Sequence, residues 1–232
     1  MRYKLFGKHT GLRVSELVLG AGTFGTRWGH GAEPDEAGRI FNAYAEAGGN
    51  FIDTANGYQF GQSEEILGGL LSGRRDDFVL ATKFTFQTDP KAGILAGNSR
   101  RSMVSSVEAK TGRREGFGGR VFQEENSSHR TAILDTLIGV AKDAGVTPAE
   151  IAIAWVAAKG SLPIIGPRTL AQLENNLAAA KTTLSPEQIA RLDEVSAIPA
   201  VFPYRMLNNP ETRQGFTGGR LEQFDAPVEP VA

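Results

Sequence analysis

The chain has 232 residues and a formal net charge of −1, with 25 Lys and Arg against 26 Asp and Glu, so no global field draws it to nucleic acid or to an anionic membrane. Hydrophobic residues make up 41% and charged residues 22%, ordinary proportions for a protein that buries a core. There is no cysteine, which excludes disulfide staples and thiolate metal sites and fits a reducing compartment.

No charged leader followed by an apolar stretch opens the chain, and no run approaches membrane-spanning length. The expectation is a cytoplasmic protein with no membrane and no nucleic-acid partner. Around Gly7 to Gly11 the segment Tyr3 to Val14 alternates apolar and polar residues, a small β-hairpin pattern. Leu17-Val18-Leu19-Gly20 reads as a buried strand. Ala37, Ile40, Phe41 and Tyr44 follow helical spacing behind Pro34, with Gly48-Gly49 as the stop. Asn50 to Thr54 reads as the next strand. Ser63-Glu64-Glu65 predicts a capped helix start, with Ile66, Leu67, Leu70 and Leu71 as its apolar stripe and Gly73 as its end. Phe78 to Lys83 is a third strand, and Ser99 opens a helix with Met103, Val104 and Val107. This strand–helix rhythm predicts a parallel sheet, and strands that are apolar throughout predict cover on both faces.

The rhythm then breaks. Lys110 to Gly119 is basic and glycine-rich where a fourth strand is due. Beyond it, a helix carries Ile133, Leu134, Leu137, Ile138 and Ala141 and stops at Gly145. Thr147-Pro148-Ala149-Glu150 is a capping box that opens a helix to Gly160. Leu162 to Ile165 is a last strand, and further capping boxes stand at Thr169 with Gln172 and at Ser185 with Gln188. Residues 200–232 show no period and read as a surface extension. The expected divisions are 1–109, 110–127, 128–199 and 200–232, within one domain.

In a parallel α/β sheet, functional groups gather at the C-terminal ends of the strands. Asp53 closes the second strand, Tyr58 follows five residues later, and Lys83 closes the third. A free phenol titrates near ~10 and is a poor acid at neutral pH. A neighbouring ammonium favours the phenolate form, and a carboxylate holds the ammonium in place. Together the three could protonate a carbonyl oxygen as hydride reaches its carbon; singly, each also fits a turn residue, a loop aromatic or a solvated strand end. A second constellation, Gly166-Pro167-Arg168-Thr169, joins a strand end to a helix start beside an arginine. It fits a phosphate seat, and equally a capped helix with a surface arginine. Gly20 to Gly25 matches the dinucleotide G-x-G-x-x-G pattern, but the helix does not open at its third glycine, which argues against a Rossmann dehydrogenase. The histidines His9, His30 and His129 have no metal-site spacing.

Leu19 to Gly25, Phe51-Ile52-Asp53-Thr54-Ala55-Asn56-Gly57-Tyr58, Ala81-Thr82-Lys83-Phe84, and Ile164 to Arg168 with Gln172 and Asn176 resemble the aldo-keto reductase superfamily. The resemblance runs to about Pro199. It implies a (β/α)8 TIM-type barrel, the cofactor NADP(H), and a small-molecule aldehyde or ketone substrate. Tyr58 would then be the general acid, Lys83 the partner that favours its phenolate form, and Asp53 the carboxylate holding Lys83. Gly22 and Thr23 would lie beside the nicotinamide, and Gly166, Arg168, Gln172 and Asn176 would hold the phosphate end.

Only four strands have sequence counterparts, numbers one to three and eight, with a seam near Ala109-Lys110. The strand-four histidine of the family and the nicotinamide grips of strands five to seven have none. Strand eight neighbours strand one in a closed barrel, so the expected order is 8-1-2-3, an incomplete barrel with two open edges. Two such halves could close into a homodimer through those edges. A non-catalytic NADP-binding module, akin to the channel-accessory members of the superfamily, is the alternative reading.

Overall fold

A computed structural model describes residues 1–7, 9–85, 103, 128–198, 202, 204–207 and 209–223. The expected loop at 110–127 and all of the Ser99 helix except Met103 lie outside the described residues. Strands β1 (Tyr3–Leu5) and β2 (Arg13–Ser15) form the antiparallel hairpin that the alternation predicts. The main sheet holds β3 (Val18–Gly20), β4 (Phe51–Asp53), β5 (Val79–Ala81) and β6 (Ile164–Ile165), all parallel, in the order β5-β4-β3-β6. That is the expected neighbour order of the four strands.

Helices α1 (Pro34–Glu46), α2 (Gln62–Leu70) and α5 (Leu170–Ala178) stand with β3, β4 and β6 in one core. Side chains alternate across each strand. Leu19, Ile52 and Ile165 are buried in that core together with Ile40, Phe41, Leu67 and Leu173. Val18 and Phe51 belong to a smaller cluster on the opposite face, with Val14 from the hairpin, and Phe6 meets Phe51 edge-on at 5.2 Å. A third cluster joins α3 (Ser128–Ala144), α4 (Pro148–Ala158) and α6 (Pro186–Ser196) through Val140, Ala141, Ile151, Ala154 and Leu192. No described helix is long and apolar enough to cross a membrane.

Four expectations need correction. Cover on the second face of the sheet is partial, because Ile164 on the β6 edge is 58% exposed. Leu134 and Ile138 of the predicted α3 stripe are exposed, since α3 buries only Val140 and Ala141 near its C-terminal end. Ser63 does not cap α2, whose N-cap is Gly61; its hydroxyl donates to the Ala21 carbonyl at 2.7 Å and contacts Thr54 Oγ1 at 3.1 Å, tying α2 to the ends of β3 and β4. The tail carries two short helices, α7 (Tyr204–Leu207) and α8 (Pro210–Phe216). The second starts at Asn209, whose side chain accepts from Thr212 N–H. They are too short to show a period.

Tyr44 binds these layers together. Its buried hydroxyl lies 2.8 Å from the carbonyls of Leu17 and Phe51 and 2.8 Å from Ser15 Oγ. Gly49 makes room for the ring, because a Cβ there would sit 2.2 Å from Tyr44 Cζ. Burial pushes the Tyr44 phenol above its ordinary value of 10.0, and hydrogen bonds with Ser15 and Phe51 offset part of that rise. A raised folded value gives stability that is full below the unfolded value and lost as pH climbs through the folded one. The urea midpoint should therefore hold up to about pH 10 and fall above it. Tyr44→Phe should remove that alkaline fall and cost about 1–3 kcal/mol at neutral pH by leaving backbone partners unmet.

Candidate active site

Parallel pairing brings the strand ends to one rim. Gly20 lies beside Asp53, and Asp53 beside Ala81. Pairing continues past the strands, with Ala21 N–H on Asp53 O at 2.8 Å, Thr54 N–H on Ala81 O at 2.8 Å and Asn56 N–H on Lys83 O at 3.0 Å. This extension carries Lys83, two residues beyond β5, up to Asp53.

Three acceptors meet the Lys83 ammonium. It donates to Asp53 Oδ2 at 2.5 Å, to the Thr54 carbonyl at 3.1 Å and to Tyr58 Oη at 3.4 Å. Asp53 is the more enclosed partner, with its side chain 14% exposed against 49% for Lys83. Burial alone pulls the Lys83 pKa down, but its hydrogen bonds to Asp53 and Tyr58 outweigh that pull, and the net shift is upward. The amine therefore stays charged at neutral pH. Because it donates to the phenol oxygen, the Tyr58 O–H is left to donate elsewhere.

Tyr58 stands on a strained turn. The two residues after it, Gln59 and Phe60, have φ of 50° and 55°, a left-handed conformation that costs an L-residue roughly 1–2 kcal/mol. The first loop above β3 wraps this turn. Trp28 meets Tyr58 edge-on with ring centroids 6.0 Å apart, and meets Phe60 at 6.3 Å. A Cβ added at Gly22 would lie 3.5 Å from the Tyr58 ring, so Gly22 borders the phenol directly. The helix after Gly20 to Gly25 starts only at Pro34, and the dinucleotide fingerprint therefore has no helix N-terminus to work with.

The second constellation lies at the end of β6. Thr23 Oγ1 donates to the Pro167 carbonyl at 2.9 Å and locks the two loops together. The expected capping box at Thr169 is only half formed. Thr169 Oγ1 accepts from Gln172 N–H at 3.3 Å, but the Gln172 amide oxygen accepts from Arg168 N–H at 2.8 Å instead of from Thr169. Glu36 from α1 takes the Leu170 N–H at 2.7 Å. Arg168 itself is exposed, and open space lies where a Gly166 Cβ would be. Thr23 and Gln172 thus hold the loop, and the Arg168 side chain extends from it into solvent. Asn176 is half-buried one turn further along α5.

Gln59 and Trp28 escaped the sequence reading. Neither has a charge or a motif spacing to mark it; the signal lies in the backbone conformation and in long-range hydrogen bonds.

The class that the fold and the site define is a parallel α/β protein with Lys83, Asp53 and Tyr58 gathered on the rim at the strand ends. The aldo/keto reductase family profile matches residues 16–116 and 109–197, and the chain belongs to that family. The two matched stretches overlap at 109–116. An aldo-keto reductase of Emericella nidulans is 43% identical over 46% of this chain and 29% of its own length. The NADP(+) aryl-alcohol dehydrogenase of Phanerodontia chrysosporium is 39% identical, over 46% and 31%. Norsolorinic acid reductase B of Dothistroma septosporum is 41% identical, over 47% and 30%. This chain thus covers about a third of the length of these relatives. Among solved structures, a thermostable aldo-keto reductase in complex with the inhibitor epalrestat has a TM-score of 0.58 at 18% identity, over 84% of this chain and 100% of that one. Glycerol dehydrogenase from Gluconobacter oxydans has a TM-score of 0.57 at 17% identity, over 86% and 98%. These two likenesses concern the fold.

Asp53→Asn should remove the main partner that raises the Lys83 pKa and leave burial in control. The titration midpoint of the Lys83 side chain, followed by NMR of its Cε, should lie above the ordinary lysine value in the parent and move down in the variant.

Proposed function

We propose that this chain reduces aldehydes or ketones to alcohols with NADP(H), using Tyr58 as the general acid. The observation that carries the reading is the Lys83 ammonium held at 2.5 Å from Asp53 and 3.4 Å from Tyr58 Oη. Asp53 keeps Lys83 charged and in place. Lys83 lies on the phenol oxygen and favours the negative charge that Tyr58 develops as it hands its proton to the substrate oxygen. Trp28, itself met by Phe60, walls the phenol with aromatic surface, which suits an aromatic carbonyl, as the name of the Phanerodontia relative also does.

The residues present fit the cofactor at both ends. Gly22 keeps the space beside Tyr58 free of a side chain, and the exposed Arg168 lies two residues beyond Gly166, whose Cβ position is open. When bound, NADPH supplies the hydride. Arg168 and Asn176 would hold its phosphate end, and Gly22 and Thr23 would border its nicotinamide. The four described strands present two open edges, and a dimer of this chain closing over those edges would supply the missing walls.

NADPH-dependent reduction of an aromatic aldehyde such as benzaldehyde tests the reading. Turnover should be present in the parent and fall by about 10²–10⁴-fold in Tyr58→Phe with nucleotide binding retained. Arg168→Ala should weaken NADPH by about 10- to 100-fold while NADH changes little. Nucleotide binding without turnover of any carbonyl would refute the reductase reading and favour the binding module. Sedimentation of the chain as a well-folded monomer would end the dimer.

A further inference from the structure

We infer that Gln59 is a positioning residue, whose side-chain amide fixes the Gly22–His30 loop around the Tyr58 phenol and so sets where Trp28 stands. The inference rests on the reading of Tyr58 as the proton donor. Gln59 is fully buried, unusual for a glutamine beside a reaction centre, and it holds a left-handed backbone that no glycine relieves. Such strain persists only where the surroundings over-determine it. Here the amide does so. Its oxygen accepts from Trp28 N–H at 2.8 Å, and its nitrogen donates to the carbonyls of His30 at 3.0 Å and Gly22 at 3.3 Å.

One acceptor and two donors match one N–H and two carbonyls, and no other side chain of this length offers that set. Since Gln59 follows Tyr58 directly, these bonds tie the phenol's own backbone to the loop that borders its ring. Neighbouring clips support the arrangement without duplicating it. Gln62 Oε1 accepts from Thr26 and Arg27 N–H at 2.9 and 3.1 Å, and Arg27 pairs with Glu65 at 2.7 Å. None of these bonds is made to Gly22, Trp28 or His30. Gly31 must stay small beneath the amide, because a Cβ there would sit 2.0 Å from the Gly25 carbonyl and 3.1 Å from Gln59 Nε2.

Glutamate at this position gives a specific test. As a neutral acid it keeps the acceptor for Trp28 and one donor for His30; once ionised it only accepts, and it faces two carbonyl oxygens. The charged and titratable groups nearby are Arg27 and Glu65, paired with each other, Lys83, paired with Asp53 and bonded to Tyr58, and exposed His30, whose ring, like that of Tyr58, lies 6.0 Å from Trp28. The parent's own pH profile therefore serves as the reference for any effect of His30. The full chain carries Trp155→Phe so that Trp28 is the sole emitter of the chain's two tryptophans.

In that background Q59E should emit like the parent at pH ~5 and shift to the red as pH rises to ~8, as its carboxyl ionises. Q59L should be red-shifted at every pH. Both should lose on the order of 10- to 100-fold in kcat at pH ~8 with smaller changes in KM, and Q59E should regain part of that loss at low pH. Parent-like emission from Q59L, or a Q59E emission that tracks the parent across the range, overturns the inference. So does a loss of turnover that follows only the folded fraction. If the variants do not fold, amide exchange of Trp28 in the parent decides, with protection supporting the clamp and fast exchange refuting it. Tyr58→Phe separates the two claims, because it should lower turnover by about 10²–10⁴-fold and leave Trp28 emission unchanged. A parent without turnover sinks the reductase reading, while the emission series still decides whether Gln59 holds the loop.

Discussion

A lysine ammonium reaching a carboxylate on one side and a phenol on the other is the interaction around which this rim is organised. Lys83 spends its three N–H donors on Asp53, Thr54 O and Tyr58 Oη, and each partner comes from the end of β4 or the loop that follows it. That geometry exists only if β4 and β5 are parallel and in register, with Asp53 opposite Ala81. A slip of one residue would turn Asp53 to the other face of the sheet and break the contact. Strand pairing, side-chain alternation and the charge on Lys83 are therefore one constraint seen at three scales.

The loops above the rim solve a second problem, that of holding the Tyr58 ring still on an irregular backbone. The turn after Tyr58 is left-handed at two residues that are not glycine, and its neighbours compensate with buried hydrogen bonds. Gln59 and Gln62 each reach back to the loop above β3, and Ser63 reaches the end of β3 itself. Polar side chains in this region bond to backbone groups across the loops, which suits a segment rich in carbonyls and N–H groups without a sheet to pair them.

The rest of the molecule shows an uneven distribution of cover. One face of the sheet is sealed by helices, while Ile164 on the other is largely open and α3 leaves Leu134 and Ile138 in solvent. Membership of the aldo/keto reductase family, matched in two stretches that overlap at residues 109–116, gives these surfaces a context. The fold likeness is to barrel proteins, and the described main-sheet strands stand side by side in one parallel sheet.

The linear sequence determined the elements whose causes are local. Proline at the first helical position with reciprocal side chains started α4 and α6 where Thr147 and Ser185 said they would. Apolar runs gave the four parallel strands, and the spacing from Asp53 to Tyr58, with Lys83 a strand later, named the three groups that meet. The sequence misassigned Ser63, because a hydroxyl before two acids satisfies a capping pattern whether or not a better long-range acceptor exists; Ala21 O supplied one. It passed over Gln59, because an uncharged amide carries no spacing signature and its role depends on carbonyls some 30 residues away. Tertiary structure alone decided these, since a hydrogen bond between distant loops is fixed by where the strands deliver their ends, and no local preference encodes that position.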